Sequence, residues 1–551
     1  MHTGVAIVTI CSYNTETYEY NYKSCKQKIK LGCEMMNKNL STVRELAEYS
    51  VEKFNDKDFC RFYVKKELHV KSFKEFYEDS LAVCRYIKNK EKERIHIAFI
   101  GRTSYEYIAC LTGMIFSGNV VVPFAPDITT EEAVELFADA DIEMVFCEEE
   151  FINKAERISE SYGNIKEIVS LGDREWFSKI FNEYSSDSEY ASLSDITEKP
   201  DDCALIIYTS GTTGERKGVM LSNRNLAANS SYETYSMDDD DVSLSVLPMH
   251  HVFCYACDVL KTLYDGGTLC LNGKLPDLYK NLLRYEPTIM RIVPAMCKSL
   301  LTKIRIAERK HPELSKREAA EIVVGRNFRR MIAGSAFLSG ALIDEFEQYG
   351  IIARQGYGMS ECSPRITTSD FSDECKYSNG KIIGVDQVRV RDGEIQVKGP
   401  SVMLGYYKKP LRTKEAFTQD GFLRTGDLGY IENDHIYLIG RKKNLIILSN
   451  GENISPEEIE NCFVDDGIVK EVVVYAEKDC IIAEIFPDEL MISSLDIIDV
   501  EGELEKIVDR VNSSLNSDRQ IGSFRIRNKP FVRTSSGKIK RTQFYYKEDK
   551  K

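Results

Sequence analysis

One short segment of the chain concentrates residues that can hold an anion. Residues 208–218 read YTSGTTGERKG and follow an apolar run, Ala204–Tyr208, that is typical of a buried strand. Glycines let a backbone turn tightly and bring its N–H groups close to an anion. The hydroxyls and Lys217 add donors and positive charge, so the segment predicts a phosphate-binding loop.

This loop differs from a Walker loop, which requires Gly-Lys-Ser/Thr five residues after its first glycine. Counting from Gly211, the corresponding position is Arg216, and Lys217 is followed by Gly218. The sequence therefore indicates a nucleotide loop of another kind.

Length and composition limit the classes of protein that this chain can form. Its 551 residues allow two or three domains, and a formal net charge of −14 disfavours nucleic acid as a partner. Three features favour a cytoplasmic chain without a transmembrane segment. The sixteen cysteines have no framework spacing, the N-terminus has no basic secretory n-region, and the sequence has no run of eighteen apolar residues.

The elements that would position the loop alternate between strands and helices. Strands are predicted at Ile95–Ile100 and Val120–Pro123, with a helix at Tyr105–Phe116 between them. This βαβ rhythm predicts parallel sheets covered by helices. An earlier helix begins near Ser41, with a Ser/Thr cap and a glutamate in its first turn, and the acidic run 238–241 is interpreted as a solvated turn.

The chain changes character after Arg441. Ser455 is predicted to cap a helix that has Pro456 in its first position, and the remainder is long enough for one small α+β domain.

Four residues superficially suggest a zinc site. His250, His251, Cys254 and Cys257 lie within eight residues, but a structural zinc site usually has a second, separated ligand pair. Buried thiols near a pocket wall are the favoured interpretation.

The loop at 208–218 resembles the phosphate loop of the adenylate-forming superfamily, which includes acyl-CoA synthetases, firefly luciferase and the adenylation domains of peptide synthetases. The resemblance implies that the following residues bind the ATP phosphates: Thr209, Ser210, Gly211, Thr212, Thr213, Gly214 and Lys217.

Further motifs of that superfamily follow in the expected order. For adenine and the α-phosphate the resemblance implies Gly334, Ser335, Ala336, Gln355, Gly356 and Tyr357. For the ribose it implies Asp427 on the hydroxyls and Arg441 on ribose and phosphate. It also implies that Glu361, preceded by Ser360, binds Mg²⁺. Lys443 would be the hinge and Lys538 the mobile catalytic lysine.

The same resemblance places His251 near the carboxylate of an acid substrate. Domains that select α-amino acids usually have an aspartate at the next position, where this chain has Val252. A buried ammonium without a counter-charge is costly, so α-amino acids are disfavoured.

The resemblance implies an α/β fold, with a large N-terminal domain of stacked α/β sheets and a smaller mobile α+β C-terminal domain. We expect an extension of unknown role at 1–40, an adenylation core at 41–442 and a lid at 443–551. The expected reaction activates a fatty acid with ATP and transfers it to coenzyme A. Two alternatives stay open: loading of a separate acyl or peptidyl carrier protein, and a non-catalytic nucleotide-binding protein.

Overall fold

The computed structural model describes residues 40–91, 93–171, 174–186, 188–192, 198–210, 215–232, 237–371, 373–449, 452–463, 466–533, 539–541 and 544. The predicted extension at 1–40 lies almost wholly outside the described residues. The remainder of the chain, Ser41–Lys551, forms a compact unit of its own.

The strands of this unit form three large sheets and two small ones. The first sheet has the order β13-β12-β11-β9-β10-β1-β2 and the second β18-β8-β7-β4-β3-β5-β6. The third has the order β14-β15-β20-β19-β17-β16, and β21-β22 and β23-β24-β25 are the small sheets. The strands are β1 (Asp58–Val64), β2 (Glu67–Ser72), β3 (His96–Ile100), β4 (Val120–Phe124), β5 (Ile142–Cys147), β6 (Glu167–Ser170), β7 (Cys203–Ser210), β8 (Arg216–Ser222), β9 (Val242–Ser245), β10 (Thr268–Leu271), β11 (Ile289–Ile292), β12 (Arg330–Ala333), β13 (Ile352–Gln355), β14 (Thr367–Thr368), β15 (Lys381–Ile382), β16 (Gln387–Arg391), β17 (Glu394–Lys398), β18 (Gly405–Tyr406), β19 (Leu423–Glu432), β20 (His435–Arg441), β21 (Ile446–Ile447), β22 (Asn453–Ile454), β23 (Val469–Glu477), β24 (Cys480–Pro487) and β25 (Ser523–Ile526).

Helices separate most of these strands. They are α1 (Val43–Phe54), α2 (Phe73–Lys90), α3 (Tyr105–Phe116), α4 (Thr130–Ala140), α5 (Ile152–Tyr162), α6 (Arg174–Glu183), α7 (Asn223–Ser231), α8 (Val252–Cys254), α9 (Lys261–Asp265), α10 (Leu278–Tyr285), α11 (Pro294–Lys310), α12 (Lys316–Val324), α13 (Gly340–Gln348), α14 (Pro410–Ala416), α15 (Pro456–Asn461), α16 (Glu489–Ser494) and α17 (Val500–Ser514). A π-helical turn at Tyr255–Leu260 joins α8 to α9.

The βαβ prediction is correct for the first two sheets. In the first, every pairing except β1 with β2 is parallel, and in the second β7, β4, β3, β5 and β6 are all parallel neighbours. Strand β4 is buried along its whole length, as expected for a parallel sheet covered on both faces. The third sheet is entirely antiparallel, which the βαβ rhythm did not predict.

Local predictions near the N-terminus are also correct. Helix α3 has the predicted bounds, and α1 begins after Thr42, whose hydroxyl accepts from the Glu45 N–H in a capping box. Among the described residues, no helix combines the length and the apolar character that crossing a membrane requires.

Two local predictions are correct only in part. In the acidic run 238–241 the first three residues are exposed, as predicted, but Asp241 is 2% exposed. Its carboxylate accepts from the Thr288 hydroxyl at 2.5 Å and forms an ion pair with Arg330. The helix α15 begins at Pro456, as predicted, but Ser455 makes no capping hydrogen bond; its hydroxyl donates to the Ile439 carbonyl at 3.0 Å instead. In both cases, a residue distant in the sequence contacts the polar side chain that the local pattern had assigned to a turn or a helix cap.

Candidate functional site

The predicted phosphate loop joins two antiparallel strands. In the β7–β8 pairing, Thr209 lies opposite Lys217, so their side chains lie on the same face of the sheet. Gly211, Thr212, Thr213 and Gly214, with the side chain of Ser210, lie outside the described residues. The structure thus places the two ends of the loop, Thr209 and Lys217, side by side.

Charged residues beside the loop are engaged in ion pairs. Glu215 contacts Lys409 at 2.7 Å and Arg412 at 3.3 Å, while Arg216 pairs with Glu132. The Lys217 Nζ instead lies over an aromatic ring, 4.8 Å from the ring centroid of Tyr406.

Glu361 lies in a single 3₁₀ turn, Ser360–Cys362, in the loop that follows β13. Its Oε1 accepts a hydrogen bond of 2.9 Å from the Tyr406 hydroxyl. Ser360 and Glu361 are both half-buried. Tyr406 therefore contacts both the phosphate-loop lysine and the predicted metal ligand.

The predicted adenine segments follow two neighbouring parallel strands, β12 and β13, at their carboxyl ends. Ligands of open parallel sheets bind at this edge. Gln355 ends β13 and is 2% exposed; its side-chain oxygen accepts from the Leu338 N–H at 2.9 Å. Gln355 therefore holds the segment after β12 rather than facing solvent.

Glycines in these segments permit close approaches. A Cβ on Gly334 would lie 3.1 Å from the ring of Phe253, and one on Gly358 would lie 2.0 Å from the Pro364 carbonyl oxygen. Gly356 has room for a methyl group and donates to the Ala333 carbonyl at 2.9 Å. Gly358 is thus the position where the backbone excludes any side chain.

The segment after Gly334 has an uncommon backbone. Ser335 has a φ of 69°, in the left-handed region that non-glycine residues rarely adopt. Ser335 and Ala336 are both exposed. Strain of this kind persists where the surrounding structure determines the conformation, and it clusters at functional sites.

The predicted ribose aspartate is held from two sides. Asp427 is 5% exposed; one oxygen accepts from the Tyr357 hydroxyl at 2.7 Å and the other from the Arg441 Nε at 2.8 Å. Asp427 and Arg441 are register partners on β19 and β20. Burial raises the pKa of Tyr357 well above its ordinary value, so its hydroxyl stays a donor.

The predicted hinge lysine lies beside this group. Lys443 is exposed in the 3₁₀ turn Lys442–Asn444, directly after β20. A cavity of about 260 Å³ is lined by Thr425, Gly426, Arg441, Lys442 and Lys443. Arg441 therefore belongs both to the Asp427 contact and to this cavity.

The paired histidines precede helix α8. Their ring centroids are 4.3 Å apart; His250 is half-buried and His251 keeps part of its surface in contact with solvent. Desolvation and the neighbouring His251 lower the pKa of His250 to about 3, and desolvation lowers the pKa of His251 as well. Both rings are neutral at pH 7 and can accept hydrogen bonds.

Cys254 and Cys257 are buried thiols. The Cys254 Sγ lies 3.0 Å from the Leu247 carbonyl oxygen, and burial raises the pKa of Cys257 to about 11. Within the described part of the chain, no group of three or more His, Cys, Asp or Glu residues is arranged to hold a metal ion by itself.

A cluster of charged side chains is buried around α9, which we call the ion cluster. Its members are Asp258, Lys261, Asp265, Arg291 and Arg365. Lys261 pairs with Asp265 and Arg291 with Asp258, the latter at 3.4 Å. Burial lowers the pKa of Lys261 to about 8 and raises the pKa of Asp258 and of Asp265.

Lys538 lies outside the described residues, but both flanks of its segment are held by ion pairs. Arg533 and Ile539 form an isolated antiparallel bridge, and Arg533 contacts Glu471 at 2.5 Å. On the other flank Arg541 donates to the buried Glu460 at 2.8 Å.

Glu361 has the donor chemistry that Mg²⁺ prefers. Mg²⁺ binds oxygen ligands, often one or two carboxylates with several waters. Tyr406 donates to only one oxygen of this half-buried carboxylate. The residues present fit an ion held by Glu361 together with substrate phosphates.

These features define an α/β fold of the adenylate-forming type, in which the residues predicted to bind adenine follow the carboxyl ends of two parallel strands. The sequence profile of the AMP-binding enzyme family matches residues 47–407, and that of its C-terminal domain matches residues 443–550. The chain belongs to the AMP-binding enzyme family.

Several relatives carry names of acyl-CoA ligases. The chain is 25% identical to the peroxisomal long chain acyl-CoA synthetase 6 of Arabidopsis thaliana, over 87% of this chain and 77% of that protein. It is 26% identical to a long-chain-fatty-acid–CoA ligase of Bacillus subtilis, over 80% and 83%. The chain is also 29% identical to human long-chain-fatty-acid–CoA ligase 1, and that match covers 56% of this chain and 51% of that protein.

Solved structures agree with the fold. ATP-bound MatB from Rhodopseudomonas palustris superposes with a TM-score of 0.74 at 24% identity, covering 91% of this chain and 97% of that one. The expected superfamily, fold class and enzyme class are therefore confirmed.

Sequence reasoning missed three contributors to the site. Tyr406, Glu460 and Glu471 carry no motif signal, because their importance comes from contacts with residues 45 to 81 positions away.

Proposed function

We propose that this protein activates a carboxylic acid with ATP to an acyl adenylate and then transfers the acyl group to the thiol of coenzyme A. One observation carries the proposal: Lys217, Tyr406 and Glu361 form one set of contacts, and Tyr357, four residues before Glu361, begins another with Asp427 and Arg441. A cation and an acidic group thus belong to one set of contacts and a candidate ribose acceptor to the other, which supports an ATP site.

In the first half-reaction, a carboxylate oxygen attacks the α-phosphorus, and the bond to the β-phosphate oxygen breaks to release pyrophosphate. Lys217 stabilises the charge on the phosphates, and Asp427 with Arg441 fixes the ribose. Mg²⁺, held by Glu361, would neutralise phosphate charge. We propose that Lys538 contacts both reacting anions, since a cation there offsets the repulsion that grows in the transition state.

In the second half-reaction, the sulfur of the thiol attacks the acyl carbon, the bond to the AMP oxygen breaks, and the thiol proton passes to solvent. We propose that residues 443–551 turn about Lys443 between the two steps, which would exclude water from the mixed anhydride. Coenzyme A and a carrier protein both end in phosphopantetheine, so acceptor choice requires an experiment.

A fatty acid is the first candidate substrate, since two relatives are named for long-chain fatty acids. The ion cluster favours a second candidate, an acid with a short or polar body. If the acid extends from His251 along α8 and α9, it approaches Asp258 and Lys261. Both groups are fully buried, and a long alkyl chain gains less against buried charges than against an apolar wall.

The test is carboxylate-dependent exchange of labelled pyrophosphate into ATP. The panel runs from acetate to palmitate, with aryl, dicarboxylic and α-amino acids. Exchange with long-chain acids supports the first candidate, and exchange confined to short, aryl or dicarboxylic acids supports the second. Adding coenzyme A or a carrier protein then identifies the acceptor. Absence of exchange with every acid would contradict the proposed reaction.

A further inference from the structure

Tyr406 occupies a position that no sequence motif assigned. Its side chain is 8% exposed, its hydroxyl donates to Glu361 Oε1 at 2.9 Å, and its ring face lies 4.8 Å from Lys217 Nζ. One aromatic residue thus contacts the two charged groups that the proposed function assigns to ATP phosphates and Mg²⁺. Lys217 and Glu361 are 144 positions apart in the sequence and do not share an element.

The backbone around Tyr406 fixes this arrangement. The segment 403–407, which we call the bridging segment, pairs through β18 with β8, where Tyr406 lies opposite Val219. The Met403 N–H donates to the Glu361 carbonyl at 2.9 Å, and the Tyr407 N–H to the Gly218 carbonyl at 2.8 Å. The segment therefore joins the turn that carries Glu361 to the strand that carries Lys217.

Tyr406 itself is held against rotation and displacement. Its N–H donates to the Thr413 hydroxyl at 2.9 Å, and a Cβ on the preceding Gly405, whose φ is 142°, would lie 2.7 Å from the Thr413 methyl. An ionised carboxylate can only accept, so the Tyr406 hydroxyl is the donor of the 2.9 Å hydrogen bond to Glu361.

We propose that Tyr406 is a positioning residue that aligns the metal-binding carboxylate with the phosphate-binding lysine. The inference rests on the proposed function. By donating to Oε1, the hydroxyl fixes the Glu361 carboxylate in one rotamer and leaves Oε2 for the cation. The ring stabilises the ammonium of Lys217 through its π face in the free enzyme. When ATP binds, phosphate oxygens replace the ring as the partner of Lys217.

Two variants separate the two contacts. Tyr406→Phe keeps the ring but removes the hydroxyl, and Tyr406→Leu removes both. For Tyr406→Phe we expect the Mg²⁺ concentration that gives half-maximal pyrophosphate exchange to rise about tenfold. This is the change in affinity that corresponds to the loss of one hydrogen bond to a charged group. For Tyr406→Leu we expect, in addition, a roughly fivefold tighter binding of ATP measured without Mg²⁺, because Lys217 then gives up no cation–π contact when the phosphates bind.

The matched control is Tyr407→Phe. Tyr407 also donates its hydroxyl to a carboxylate, Asp141 Oδ2 at 2.7 Å, but on the exposed side of the same segment. Its Mg²⁺ dependence should equal that of the wild type. Calorimetry of ATP and AMP binding, each with and without Mg²⁺, gives a readout independent of turnover: Tyr406→Phe should lose the Mg²⁺-dependent gain for ATP and keep AMP binding.

The outcomes separate the two proposals. A wild-type protein that catalyses no exchange and binds no ATP would contradict the proposed function itself. An active wild type, with Tyr406→Phe showing an unchanged or lower half-saturating Mg²⁺ concentration, would overturn the positioning role alone. Equal losses in Tyr406→Phe and Tyr407→Phe, with lowered thermal stability in both, would also overturn it, since the effect would then be general destabilisation.

Discussion

Asp427 offers the sharpest test of the nucleotide site. Its two carboxylate oxygens accept from Tyr357 at 2.7 Å and from Arg441 at 2.8 Å in a buried setting. The variant Asp427→Asn keeps the shape but replaces one acceptor oxygen by an amide donor and removes the charge. Arg441 then loses its counter-charge, and one ribose hydroxyl loses its acceptor.

The magnitude follows from those contacts. A hydrogen bond to a charged group contributes about 1.5–3 kcal/mol, so losing one outright and weakening another costs roughly 2–4 kcal/mol. Since about 1.4 kcal/mol is a factor of ten, we expect kcat/KM for ATP to fall roughly 30- to 700-fold. Steady-state pyrophosphate exchange and calorimetric ATP binding both measure this loss.

The matched control is Asp420→Asn. Asp420 also binds an arginine through both oxygens, Arg389 at 2.6 and 3.0 Å, but on the exposed surface. Its exchange activity should stay at the wild-type level. If the Kd of Asp427→Asn for ATP lies within about twofold of that of an active wild type, the ribose assignment is wrong. A twofold change in Kd is far smaller than the free energy of one hydrogen bond to a charged group.

Three further predictions concern stability and backbone geometry. Lys261→Met leaves Asp265 buried without its cation and should destabilise the fold by about 3–5 kcal/mol, whereas adding Asp265→Leu should restore most of the lost melting temperature. The pKa of His250 is about 3 in the folded protein against an ordinary value of 6.5, so the neutral ring stabilises the fold above pH 6.5, and this effect is lost as the pH falls towards 3. In His250→Asn, the melting temperature should therefore depend less on pH between 6.5 and 3. An unchanged pH profile would contradict the lowered pKa. Gly358→Ala should abolish exchange and lower the melting temperature, because the new methyl would lie 2.0 Å from a carbonyl oxygen, whereas Gly467→Ala, with its nearest neighbour atom at 3.5 Å, should behave as wild type.

Much of the fold could be predicted because its signals are local. Helix α3 is a buried helix between two buried strands, and β3 and β4 are short apolar runs of the kind that parallel sheets require. The third sheet was missed because its strands mix exposed and buried positions, although tight two-residue turns join β16 to β17 and β19 to β20. Its edge strand β16, for example, has no buried residue.

The candidate site divides in the same way. Motifs predicted roles for Lys217, Glu361 and Asp427, since glycines and charges at fixed spacing carry a chemical signal, and these roles stay predictions. They did not reveal that Tyr357 and Tyr406 hold two of these groups, because a tyrosine in sequence is most often a packing residue. The roles given to Lys538, Lys443 and the phosphate loop stay predictions, as do the domain boundaries at 40 and 442.

The ion cluster has a consequence for how the sequence can change over generations. Removing one member leaves a buried charge without its partner, at about 3–5 kcal/mol, a large share of the roughly 5–15 kcal/mol that stabilises a typical domain. Single replacements at Lys261 or Asp265 would therefore be purged, while joint replacements by apolar residues would survive. We expect the two positions to be inherited as a unit, so that related sequences carry both charges or neither.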